Sequence, residues 1–126
     1  FMNISRSFIL VGAAFLIIGV SFGIFMGGSG DHTFAPLHAH INLLGFTLMT
    51  VFGVLYRVFP ETGLSNLARL HFWLHLGGTT LLLVMLFLFF SERITPEAMF
   101  PLAPIAEVLV MAGILTYAYN ILTNLK

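Results

Sequence analysis

The sequence predicts an all-α integral membrane protein, a bundle of four transmembrane helices embedded in a lipid bilayer. Of its 126 residues, 59% are hydrophobic and only 8% are charged, and the mean hydropathy is +1.03. Soluble domains carry about 25% charged residues, so this chain has too little polar sequence to cover an apolar core in water. The apolar residues fall into four runs, each near the ~20 residues that cross a bilayer.

The four runs follow one another with short connections, which predicts a single domain. We expect spans at about residues 7–26, 36–59, 67–90 and 98–122. In the first, Gly19, Gly23 and Gly27 recur every four residues, a spacing that permits close helix packing. Pro36 opens the second span, where a proline suits the first helical turn. The fourth span has two prolines in its early turns, Pro101 and Pro104.

The charges outside the spans predict an orientation. An even number of spans puts both termini on one side, together with the connection between the second and third spans. That side carries four cations and one anion, whereas the other side carries one cation and three anions. The positive-inside rule therefore predicts cytoplasmic termini, and in a bacterial inner membrane the opposite loops face the periplasm.

Several classes of function are poorly supported. The net charge is zero, so a nucleic-acid partner is not expected. The chain has no cysteine, which excludes disulfides and thiolate metal sites. It also lacks a phosphate-binding loop and a nucleophilic triad, which argues against nucleotide use and hydrolysis.

The polar groups predicted to lie inside the membrane are the candidate functional residues, because such groups are costly there and usually functional. His38, His40 and Asn42 lie in the outer part of the second span. Glu107 lies in the fourth span, at a predicted depth of about 13 Å from the same side. His38 and His40 are two residues apart, so they point to different sides of their helix. We take these two histidines and Glu107 as candidate metal ligands, with Asn42 beside them at a cofactor site.

His71 and His75 form a second group in the third span. They are four residues apart and share one helix face, so together they could chelate a metal ion. They enter from the opposite side of the membrane, and we expect them more than about 10 Å from the first group along the membrane normal. Tyr56 and Tyr117 are expected to mark the cytoplasmic interface.

Three stretches resemble small bacterial membrane proteins related to subunit I of the haem–copper oxidases. They are His38-Ala39-His40-Ile41-Asn42-Leu43-Leu44-Gly45-Phe46, Gly53-Val54-Leu55-Tyr56-Arg57 and His71-Phe72-Trp73-Leu74. The resemblance covers about a third of the chain. It implies haem b, copper or both as cofactors. By the same resemblance, His38 matches the ligand of the active-site haem and His40 the ligand of the low-spin haem, near the periplasmic side.

The chain departs from the oxidase pattern in two ways. The adjacent histidine pair and the His-x-x-x-Tyr of the copper site are absent, so the resemblance does not imply that this chain alone reduces oxygen completely. The oxidase subunit has about twelve helices in three arcs of four. A homotrimer of four-helix chains would reproduce that number, and cyclic homo-oligomers are common. We therefore expect a homotrimer.

Three functions stay open at this point. The first is a haem- or copper-binding protein with a binding or electron-transfer role, served by an unidentified redox partner. The second is a small transporter or channel for a metal ion or proton, in which the groups at different depths mark steps across the bilayer. The third is a structural assembly subunit whose histidines only pack.

Overall fold

A computed structural model describes residues 2–126 and confirms four long helices, with no strand among these residues. They are α1 (Ile4–Ser29), α2 (Ala35–Val58), α3 (Asn66–Phe90) and α4 (Leu102–Asn124). All four are long and apolar enough to cross a membrane. A one-turn helix, Pro60–Gly63, connects α2 to α3, and a 3₁₀ turn, Glu97–Met99, precedes α4.

The first helix is longer than predicted at both ends, because its capping residues lie outside the hydrophobic run. The Asn3 side chain accepts a hydrogen bond from the Arg6 amide and begins the helix. Gly30 ends it in the left-handed conformation, with φ 72°, and its amide donates to the Met26 carbonyl. These caps extend α1 to 26 residues.

The fourth helix begins at Leu102, later than the predicted start near residue 98. Pro101 is its cap residue and Pro104 lies in its first turn, where a missing amide hydrogen leaves no helical bond unmade. Glu107 is therefore only five residues, or about 8 Å, inside the helix, shallower than the predicted 13 Å.

Each helix runs antiparallel to the one before it, and the four pack mainly as two helical hairpins, α1 with α2 and α3 with α4. Glycines allow both contacts. A Cβ on Gly53 would lie 2.7 Å from Ile9 Cγ1, and one on Gly78 would lie 2.8 Å from the Val110 amide nitrogen. We call the end of the bundle with both termini the terminal end, and the opposite end the loop end.

The second helix contains a π-helical segment, Ile41–Thr47, directly after the two histidines. Here the Leu48 amide donates to the carbonyl of Leu43, five residues back. The hydrophobic pattern gave no signal for this segment. It changes the rotation of the histidines relative to the rest of α2 and places the Leu44 carbonyl toward α3.

Candidate functional site

His38 lies half-buried between α2 and α1. Its Nδ1–H donates to the Gly19 carbonyl at 2.7 Å, and because a carbonyl only accepts, Nε2 keeps a lone pair. That Nε2 lies 3.3 Å from the amide nitrogen of Asn42. A Cβ on Gly23 would lie 3.1 Å from the His38 Cε1, so α1 encloses the ring tightly. Both ring nitrogens of His38 thus have protein partners.

Asn42 fits against α1 only because residue 19 is glycine, since a Cβ there would overlap the Asn42 side-chain oxygen. This oxygen is buried and has no hydrogen-bond partner among residues 2–126. Two of the predicted packing glycines, Gly19 and Gly23, therefore contact the polar residues of α2. The third, Gly27, has no neighbouring atom within 4 Å of a Cβ.

His40 points to a different side of α2 and is exposed on the surface of the bundle. Its Nδ1–H donates to the Pro36 carbonyl at 2.7 Å. The lone pair therefore lies on Nε2. Metal-binding histidines commonly donate their other N–H to a backbone carbonyl, which fixes the tautomer in this way. His40 is thus oriented to bind something outside the chain.

His71 is fully buried and lies among aromatic rings. Its Nδ1 is 2.8 Å from the Tyr56 hydroxyl. The rings of Phe8, Phe52 and Tyr117 surround it, with centroids 5.0, 4.4 and 5.4 Å away. Tyr56, which the sequence predicts to mark the cytoplasmic interface, is only 2% exposed, and its hydroxyl contacts His71 in the interior of the bundle.

His75 is also fully buried, one turn further along α3. Its Nε2–H donates to the Leu44 carbonyl at 2.8 Å, within the π segment of α2. The neutral ring then has its lone pair on Nδ1, which is buried and has no partner among the described residues. The irregular turn of α2 therefore determines which nitrogen of His75 is free.

His71, His75 and Thr79 form what we call the inner triad, three fully buried polar side chains at four-residue spacing on one face of α3. The two imidazole centroids are 6.0 Å apart. The Nε2 of His71, the Nδ1 of His75 and the hydroxyl of Thr79 all lack a partner in residues 2–126. Buried polar atoms without partners are rare and often mark an ion or water site. As predicted, both histidines lie on the same face of α3.

A second polar network lies at the terminal end of the bundle. The Asn120 amide donates to the Thr62 carbonyl at 3.0 Å and its oxygen accepts from Ser65 at 2.9 Å. Asn124 donates to the same oxygen at 2.9 Å. These residues are not predicted from the sequence, and the one signal available there is an asparagine within an apolar run; its full burial is known only from the structure.

The two predicted groups of histidines are closer than expected. His75 contacts the carbonyl of Leu44, which is one helical turn from His40. His75 is therefore about 6 Å from His40 along the helix axes, less than the 10 Å predicted, whereas His71 lies one further turn away.

Glu107 does not join either group within the chain. Its side chain is exposed on α4, near the loop end. Residues 2–126 contain no cluster of three or more histidine, aspartate or glutamate side chains placed to bind one metal ion. Thus a single chain brings together His38 with Asn42, and His71 with His75, while His40 and Glu107 face outward.

The loop before α2 carries the fifth histidine, His32, which is exposed and lies 3.0 Å from the Gly30 carbonyl. Beside it the Thr33 hydroxyl and amide both donate to Asp31. These hydrogen bonds lower the pKa of Asp31 below its usual value. The loop is therefore locally ordered but separate from the buried histidines.

Comparison with protein-family models, with curated proteins and with solved structures gives no match to this chain.

Proposed function

We propose that the protein is a metal-binding membrane protein that holds copper or haem through histidine, with a binding or electron-transfer role rather than complete oxygen reduction. The observation that carries this proposal is the inner triad. His71 and His75 each have one nitrogen held by a protein partner and a second nitrogen that is buried without one. The two free nitrogens are therefore available to bind a metal ion that is not part of the chain.

Copper fits the inner pair by its chemistry. Imidazole is a common ligand for copper, and a partner on the second nitrogen fixes the tautomer and raises ligand basicity. The Leu44 carbonyl does this for His75, and the Tyr56 hydroxyl occupies the corresponding position at His71. The rings of Phe8 and Phe52 pack on His71 with centroids 5.0 and 4.4 Å away, which leaves no room there for a macrocycle.

Haem fits better at His40 than at His38. A haem on His38 requires the Asn42 amide to leave Nε2, and α1 encloses that ring. His40 is exposed and its Nδ1 donates to Pro36, so its Nε2 would be available to hold a haem without displacing a protein partner. A bound haem would supply one-electron redox chemistry, and the Pro36 carbonyl would orient its ligand.

For location, we propose a bacterial inner membrane with both termini in the cytoplasm. The excess of Lys and Arg at the terminal end supports this orientation. His38 and His40 then lie near the periplasmic side, and the inner triad lies nearer the middle of the membrane.

Absorption spectra of purified protein, oxidised and reduced, with metal analysis of the same sample, test the proposal. We expect about one copper per chain after copper loading, lost in His71→Ala and His75→Ala and kept in His32→Gln, which alters an exposed loop histidine. A Soret band lost in His40→Ala but kept in His32→Gln would assign haem to His40. Protein that stays free of both after loading would contradict the proposal and favour a structural assembly role.

A proton or metal-ion transport function is the second candidate, favoured by the polar row that runs from Thr79 through the two histidines toward Asn120. Transport predicts weak, exchangeable metal and flux into proteoliposomes. That flux should fall at least tenfold in Thr79→Val, which changes the row without removing a histidine. Unchanged flux in this variant would exclude the row as the route.

A further inference from the structure

Two ionisable side chains lie on the outer surface of helices long enough to span a membrane. They are His40 on α2 and Glu107 on α4, and both are exposed in the single chain. Ionisable groups in a membrane span usually face a protein interior or pair with each other, because facing lipid is costly. The surface of one chain leaves both groups without such a partner.

The two groups lie at the same depth. His40 is five residues from the start of α2 at Ala35, and Glu107 is five residues from the start of α4 at Leu102. Both helices start at the loop end, so each group is about 8 Å inside its helix.

Contacts between α3 and α4 give an independent measure of the depth of Glu107 along the bundle. A Cβ on Gly78 of α3 would lie 2.8 Å from the amide of Val110, so these two residues are level. Because α3 and α4 are antiparallel, Glu107 is level with about residue 81 of α3.

The same measure applies to His40. The Leu44 carbonyl accepts from His75 of α3, and His40 is four residues nearer the loop end. His40 is thus level with about residue 79 of α3. The two depths agree within two residues, or about 3 Å.

The faces around the two groups are otherwise apolar and unpartnered. The α2 stripe consists of the exposed residues Leu43, Val51 and Val54, and the α4 stripe consists of Val108, Met111 and Leu115. Each stripe carries one ionisable residue at the matching level, a base on one and an acid on the other. A contact between two different surfaces of the same chain repeats from copy to copy and forms a ring where the rotation closes.

We propose that His40 of one copy pairs with Glu107 of a second copy across a subunit interface between the α2 stripe and the α4 stripe. The Nε2 of His40 is free for this bond because Nδ1 donates to Pro36. One proton shared between the carboxyl and the imidazole leaves the pair either neutral or an ion pair, and both forms hold a hydrogen bond. The pairing uses the His40 nitrogen that a haem would need, so haem at His40 and this interface exclude each other, whereas copper at the inner triad is compatible with it.

Disulfide cross-linking in native membranes tests the interface directly, because the chain contains no cysteine. His40→Cys and Glu107→Cys are made in separate, differently tagged chains and expressed together. We expect a cross-linked dimer carrying both tags after mild oxidation. The matched control replaces His40→Cys with Ile24→Cys, which is 71% exposed and lies five residues from the loop end of α1. That control should not cross-link to Glu107→Cys.

Three results would overturn the proposal. They are the absence of the mixed dimer, a dimer of His40→Cys chains alone, or an equal yield with the Ile24→Cys control. A second experiment measures the oligomer fraction in detergent after the two residues are removed or exchanged.

His40→Ala and Glu107→Ala should each lower the oligomer fraction at least fivefold. The double variant His40→Glu with Glu107→His should restore it. Oligomers unchanged in both alanine variants would contradict the pairing.

Discussion

At the scale of single residues, the histidines within the helices share one arrangement. Each has one ring nitrogen held by a group of the protein, a backbone carbonyl for His38, His40 and His75 and the Tyr56 hydroxyl for His71. What differs is the second nitrogen, which faces an amide in His38, the outside in His40 and a buried space in the inner triad. His38 is therefore a structural residue, whereas His40, His71 and His75 each keep a nitrogen available to a ligand.

Tyr56→Phe should destabilise the protein by about 1–3 kcal/mol, because it leaves the buried Nδ1 of His71 without its partner. It should also weaken copper binding if the inner pair is the metal site, since the hydroxyl orients the ring. Thermal unfolding in detergent, with and without copper, measures both effects. Tyr119→Phe is the control, because Tyr119 is 59% exposed. Equal effects of the two substitutions would show that the Tyr56–His71 bond contributes nothing measurable.

At the scale of helices, glycine positions determine how close each pair approaches. On α3, Gly78 faces α4 and Gly113 on α4 faces the backbone of His75, where a Cβ would lie 3.2 Å from its nitrogen. This close approach covers the inner triad and excludes lipid from it. The π segment of α2 has the complementary effect from the other side, because it presents the Leu44 carbonyl to His75.

Gly78→Ala and Gly77→Ala form a matched pair that tests this packing. An added Cβ at residue 78 meets the backbone of α4 at 2.8 Å, whereas one at residue 77 meets nothing within 4 Å. We expect Gly78→Ala to cost about 1–3 kcal/mol by overpacking. Gly77→Ala should be neutral or stabilise by up to about 1 kcal/mol through helix propensity. Denaturation in mixed micelles measures the difference, and similar values for both would mean that α3 and α4 are free to separate.

At the scale of the whole molecule, the bundle has a buried polar row toward its terminal end and two outward-facing ionisable groups near its loop end. The first feature is buried inside one chain, whereas the second lies on the surface of that chain. This division is the reason that a metal site within the chain and an interface between chains are separate proposals. It also means that the loss of oligomers need not abolish metal binding.

Labelling with a membrane-impermeant maleimide tests the proposed orientation. Glu92→Cys lies in the connection between α3 and α4, and Lys126→Cys lies at the C-terminus. If the excess of cations is cytoplasmic, Glu92→Cys should be labelled in intact spheroplasts and Lys126→Cys only after lysis. The reverse pattern would invert the orientation, and labelling of both in intact spheroplasts would contradict an even number of spans.

The sequence by itself determined four helices that are long and apolar enough to span a membrane, because run length and hydropathy are properties of local composition. It also identified His71 and His75 as a pair on one face, since four-residue spacing acts within a single helix. It did not predict the π segment, the burial of Tyr56 or the inward position of Asn120. Those features depend on the rotation and depth of each helix relative to its neighbours, which residues distant in sequence fix together. Only the tertiary structure therefore decided which histidine nitrogens are free. The carbonyl or hydroxyl that holds the first ring nitrogen of His38, His71 and His75 belongs to a different helix, and only that of His40 lies in the same helix.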